Sequence, residues 1–211
     1  MIMLYLGLLL SGAALLINGL GLLGRIPLRD SAMFSMLIGG VQLALGIAFV
    51  ATNSDAEPQT LLSAAGMFLF ALTYVYVGLN TVLQLGSQGL GWFSGLAGAL
   101  GLLLATAWFN TDPLLSVLWL AWAVLWALFF VQMVLGRVNL IPFIGWSLVL
   151  LSQTTATAPA LLGLSGNWPD SQATAATAAA VLTTLFLLAA RLGRRKRRPG
   201  HPAPRLPART A

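Results

Sequence analysis

Residues 117–130 read VLWLAWAVLWALFF, and within them Trp119, Trp122 and Trp126 stand at i, i+3 and i+7. On a helix that spacing sets three indoles on one face. An indole offers flat apolar surfaces and one N–H donor, which needs a partner when buried. Other neutral polar groups sit in comparably apolar stretches. Ser11 and Asn18 fall on a stripe with Leu4, Leu8 and Leu15, at steps of 4, 3, 4 and 3. Gln42 stands alone. Thr73, Tyr74, Tyr76 and Asn80 lie in FLFALTYVYVGLN, residues 68–80, and Ser152, Gln153, Thr154 and Thr155 follow further on. Two readings fit these groups. They hold helices together by hydrogen bonds worth about 0.6 kcal/mol each on average. Or they line a slot for an amide-like solute, with aromatic walls on its flat faces and polar groups replacing its lost water.

The elements carrying these residues are membrane spans. Of 211 residues 58% are hydrophobic and 8% charged, against roughly 25% charged in a soluble domain. Crossing a hydrocarbon core takes about 20 residues, and seven runs qualify: 2–23, 32–52, 60–84, 91–109, 114–135, 144–165 and 173–191. The runs are continuously apolar rather than alternating, which argues for an all-α polytopic bundle and against a barrel. The first run lacks a basic leader and reads as a retained helix.

Charge sorts by connection. Arg25, Arg29 and Asp30 lie in the first, and Arg137 in the fifth. Asp55 and Glu57, Asp112, and Asp170 fill the second, fourth and sixth. The tail from Arg191 holds eight of the eleven basic residues. The positive-inside rule then puts the N-terminus outside and the C-terminus in the cytoplasm. Residues 192–211 read as a basic, Pro-rich disordered tail that fixes orientation and can meet anionic lipid. Small residues mark expected contact faces: Gly91, Gly95, Gly98 and Gly101 in the fourth span, and Gly39, Gly40, Ala44 and Gly46 in the second. Pro159 is expected to kink or end the sixth span.

What the runs lack narrows function. Apart from Arg191 at the very end of the last run, none holds an Asp, Glu, Lys, Arg or His, and the only histidine, His201, is in the tail. Coupled carriers, proton pumps and voltage sensors use such residues. With no cysteine and no clustered ligands, no metal or other cofactor is expected, and a catalytic triad lacks its base. Nothing directs the chain to nucleic acid. The solute is expected to be uncharged and not driven by a coupled ion.

Three segments resemble the AmiS/UreI family of bacterial urea and amide channels. They are LWLAWAVLW (118–126), FLFALTYVYVGLN followed by GLGWFS (89–94), and LYLGLLLSGAALLINGLGLLGRIP (4–27) with its Asn18–Gly19 pair. In order they span the first six helices, residues 1–165, with 173–191 as an added helix. The resemblance implies a pore within each six-helix protomer and a homo-hexameric ring in the inner membrane. It implies wall positions at Trp119 and Trp122 and a constriction at Leu125 and Trp126. Phe70, Thr73 and Tyr74 fall on the opposing wall, and Leu8, Ser11, Leu15 and Asn18 on the pore stripe of the first helix. Members carry a glutamate and a glycine after a tryptophan in the sixth helix. Counting from Trp146 reaches Leu151 and Ser152 here, so the carboxylate is missing at Leu151, and Gln153 replaces it only if the helix rotates. The tryptophans are then expected to form a flat wall that selects planar solutes by thickness. The expected function is a passive, non-acid-gated channel for urea or short-chain amides, feeding a cytoplasmic amidase or urease. A facilitative carrier and a non-conducting scaffold subunit remain as alternatives.

Overall fold

A computed structural model describes residues 2–53 and 57–195. The described chain is helical: α1 (Ile2–Leu22), α2 (Leu28–Thr52), α3 (Pro58–Val82), α4 (Gln88–Trp108), α5 (Pro113–Met133), α6 (Ile141–Ser152), α7 (Ala158–Leu164) and α8 (Gln172–Arg195). A π-helical turn, Gln153–Thr157, joins α6 to α7, so the two form one span from Val138 to Leu164. Seven spans are thus long and apolar enough to cross a membrane, and the chain is a multi-pass membrane protein.

Proline marks several starts. Pro58, Pro113 and Pro142 sit in the first turns of α3, α5 and α6, where no intrahelical N–H bond is lost, and Pro159 stands at the start of α7 directly after the π turn. Pro159 therefore does not end the sixth span as expected. The irregularity falls in the preceding turn, where the widened π geometry takes up the missing bond. Several helix ends lie beyond the apolar runs, and two of these extensions carry charge. α2 begins at Leu28 and carries Arg29 and Asp30 in its first turn, and α8 continues to Arg195. Both extensions are polar helix ends that hydropathy alone truncates. Asp55 and residues 196–211 lie outside the described residues.

α1 is central, packed against α2, α3 and the sixth span, while α2–α3 and α4–α5 form tight antiparallel pairs. A side chain at Gly19 would place its Cβ 2.9 Å from the Gly145 carbonyl and from the Val149 nitrogen, so glycine there lets α1 lie directly on α6. The expected small-residue face of α4 does pack on α5: Gly95 lies against Phe130 and Gly98 against Ala123. In α2 only half of the expected face does so. Gly39 and Gly46 meet α3, whereas Gly40 meets nothing and Ala44 is exposed. α8 lies at the periphery against α6 and α5. Leu37, Leu96, Leu103 and Trp92 turn outward, as a lipid-facing surface requires.

Candidate functional site

Two cavities enter the bundle from opposite ends. The first lies at the N-terminal end of α1, with a volume of about 150 Å³, and the second at its C-terminal end, with about 130 Å³. One water needs roughly 10–15 Å³ on this measure, so each holds a small organic solute with room left over. Phe70 and Trp122 line both cavities and form the partition between them.

That partition is a cluster of rings from α3 and α5. The Phe70 centroid lies 4.9 Å from those of Trp122 and Trp126, and Trp119 lies 5.0 Å from Trp122. Trp122 stands at 89° to Phe70 and 87° to Trp119, while Trp119 and Trp126 are stacked at 22°. Edge-to-face contacts of this kind suit the ring quadrupoles. The wall is therefore not uniformly flat, because its middle indole is turned across the other two. Gly66 makes the cluster possible: a Cβ there would fall 2.6 Å from Trp119 Cζ2.

Hydrogen bonds fix the polar edges. Trp126 Nε1 donates to Thr73 Oγ1 at 3.2 Å, and the Thr73 hydroxyl donates to the Leu69 carbonyl at 2.6 Å. The Tyr74 hydroxyl donates to the Ser11 carbonyl at 3.3 Å, tying α3 to α1. Ser35 donates to Asn18 Oδ1 at 2.9 Å. In contrast, the buried Nε1 atoms of Trp122 and Trp108 and the Oε1 of Gln42 have no partner. All three residues line the first cavity.

Of the residues expected at the site, Leu8, Ser11 and Trp119 line the first cavity only. Leu15, Asn18, Thr73, Tyr74, Leu125 and Trp126 line the second only. Phe70 and Trp122 line both. Leu151 is fully buried in the core and lines neither. Gln153 is exposed and bonds only to its neighbour Ser152, so it does not stand in for a carboxylate at Leu151.

The pore positions expected from sequence leave out the mouth of the first cavity and its one amide side chain, Gln42, which counts in the sequence only as a polar group in an apolar run. At the mouth, Trp168 Nε1 donates to Asp112 Oδ2 at 2.9 Å, and its ring lies 5.6 Å from that of Tyr5. Asp112 also caps α5, accepting from the Leu115 N–H at 2.9 Å. Burial pushes the Asp112 carboxyl above its ordinary value, and the two hydrogen bonds only partly oppose that. Gln42 Nε2 donates to the Gly7 carbonyl at 2.6 Å and to Ser11 Oγ at 2.8 Å. Its position carried no local signal, since both partners lie more than thirty residues away. Asn80, which lines the second cavity, exchanges bonds with Ser87 across the α3–α4 turn.

Residues 3–167 match the sequence profile of the AmiS/UreI family transporters. The chain belongs to that family. It is similar to a Rhodococcus erythropolis protein that bears the name AmiS2, with 40% identity over 87% of this chain and 89% of that protein. A Mycolicibacterium smegmatis protein named for the transport of amidate substrates is 37% identical, over 90% of this chain and 89% of its own. The crystal structure of the urea channel of Helicobacter pylori superposes with a TM-score of 0.69 at 25% identity, covering 79% of this chain and 99% of that one. An AmiS/UreI protein is a transporter rather than an enzyme.

Proposed function

We propose that the protein is a passive channel for small neutral amides, urea and short-chain amides among them. It sits in the bacterial inner membrane with its N-terminus outside and its C-terminus in the cytoplasm. There it supplies a cytoplasmic amidase or urease, and it works as a homo-hexamer with a pore in each protomer. The observation that carries this reading is the pair of cavities on opposite ends of the bundle, with Phe70 and Trp122 lining both. Aromatic walls suit a flat solute, and the two cavities carry no basic side chain and one carboxyl, Asp112 at the mouth of the first, so they offer little to a charged one. The relatives' names, for a urea channel and for amidate transport, point to the same solute class. The pore is not opened by acid: the only histidine of the chain is His201 in the tail, and histidine is the residue whose ordinary pKa falls between about pH 5 and 8.

Proteoliposomes under an inward urea or acetamide gradient test the reading by stopped-flow light scattering. Re-swelling should be much faster than in protein-free vesicles and the same across about pH 5 to 8. Rates equal to those of empty vesicles reject the channel, and a steep acid activation rejects its ungated form. The partition also suits a carrier that opens one cavity at a time. Counterflow exchange of labelled for unlabelled urea, with a saturable rate, would favour that second reading.

A further inference from the structure

Gln42 is 2% exposed and lines the first cavity, and its Oε1, buried at that wall, has no partner. Its orientation is fixed by chemistry. The Gly7 carbonyl can only accept, so the Gln42 nitrogen must face it, and a second Nε2 hydrogen is taken by Ser11 Oγ. The amide nitrogen is thus satisfied, and the oxygen is left with nothing. An unmet carbonyl in a membrane interior is costly, and a buried polar atom without a partner calls for an explanation. The indole N–H groups of Trp122 and Trp108 line the same cavity and are equally unmet, although either type could have bonded such an oxygen. Among the described residues the other buried side-chain atoms without partners are Trp146 Nε1 and Ser147 Oγ, and neither residue lines either of these two cavities. The walls of one cavity therefore carry, just behind their surface, one unmet acceptor and two unmet donors, the complement of an amide group with its N–H hydrogens and its carbonyl.

We infer that Gln42 is a specificity-determining residue: its Oε1 accepts an N–H of the entering solute, so the first cavity favours solutes with an unsubstituted amide nitrogen. This rests on the transport reading above. It adds to shape selection by the rings a chemical requirement that shape alone does not impose. A site with a buried acceptor penalises an analogue that cannot donate to it, because entry strips water from that acceptor and returns nothing.

Propanamide, N-methylacetamide and N,N-dimethylformamide are isomers carrying two, one and no N–H hydrogens. Each is added as a competitor of labelled urea influx into proteoliposomes holding the full-length protein. In the unmodified protein the half-inhibiting concentration should rise in that order, by about ten-fold from first to last. Gln42→Met keeps the length of the side chain and removes its polar atoms, and it should collapse the three to a common value. Ser11→Ala removes a partner of the Gln42 nitrogen and leaves the oxygen, so the order should survive. If Gln42 only pins α2 to α1, both variants will lower influx while the order stays steep, and that overturns the inference. Equal competition by all three isomers in the unmodified protein overturns it without any variant, so a Gln42→Met protein that does not assemble leaves the question decided. Absence of urea influx in the unmodified protein is a different failure, that of the transport reading itself, and the inference falls with it.

Discussion

Trp122 lines both cavities and crosses its two neighbours nearly at right angles, so its replacement acts on the shape of the whole passage. Trp122→Ala removes the ring from the partition. The permeability of a bulky amide such as butanamide should then rise relative to urea, as read by light scattering on paired vesicle preparations. An unchanged ratio would show that the ring does not set the width. At this scale much of the site was legible. Three indoles at helical spacing do share a face, and each is at most 4% exposed. What the spacing could not give was the angle of each ring about its own side-chain bonds, so an expected flat wall became a crossed one. Gln42 was visible as a polar residue in an apolar run, but its partners come from another helix, and no local pattern says that its oxygen lacks one.

Helices position these rings by close approach, and Gly66 carries that job for α3 against α5. Trp119 already packs against Phe70, Trp122 and Trp126 and is 4% exposed. Gly66→Ala should therefore lower the melting temperature, by an overpacking penalty of about 1–3 kcal/mol, and slow urea influx in the same protein. Full influx would mean that the indole gives way freely. The α4–α5 connection carries a different test. The Asp112 carboxyl gives up its proton less readily in the fold than in the unfolded chain, because burial disfavours its charge. Its contribution to stability is thus full below the ordinary carboxylate range and declines as pH rises through the raised value. Asp112→Asn keeps an oxygen for the Leu115 N–H and cannot ionise. The melting temperature of the parent should fall relative to that variant on moving up from about pH 4, and parallel curves would count against the assigned burial. The helices themselves were legible because charges fall between the apolar runs. Their ends were less so, because Arg29 in α2 and Arg194 in α8 sit in helical turns that hydropathy cuts off.

At the scale of the molecule, α8 stands apart from the transport path. It packs on α5 and α6, and no residue of it lines either cavity. Truncation after Ser171 should cost thermal stability, through the lost packing of Leu182 and of Gly193 against Phe143, and should leave urea influx per protein intact. Loss of influx from a truncated protein that still reaches the membrane would assign α8 to the pore. The count of spans could be read from sequence, whereas the way they surround a passage could not, since it depends on contacts such as Gly19 on Gly145 between distant helices. The ring partition has one more effect at this scale. Hydrated protons travel by hopping along an unbroken file of water, and the packed indoles and the Phe70 ring interrupt such a file between the two ends. A cell could thus keep this pore in the membrane that stores its energy without short-circuiting it, because each solute would part the rings only for the moment of its own passage.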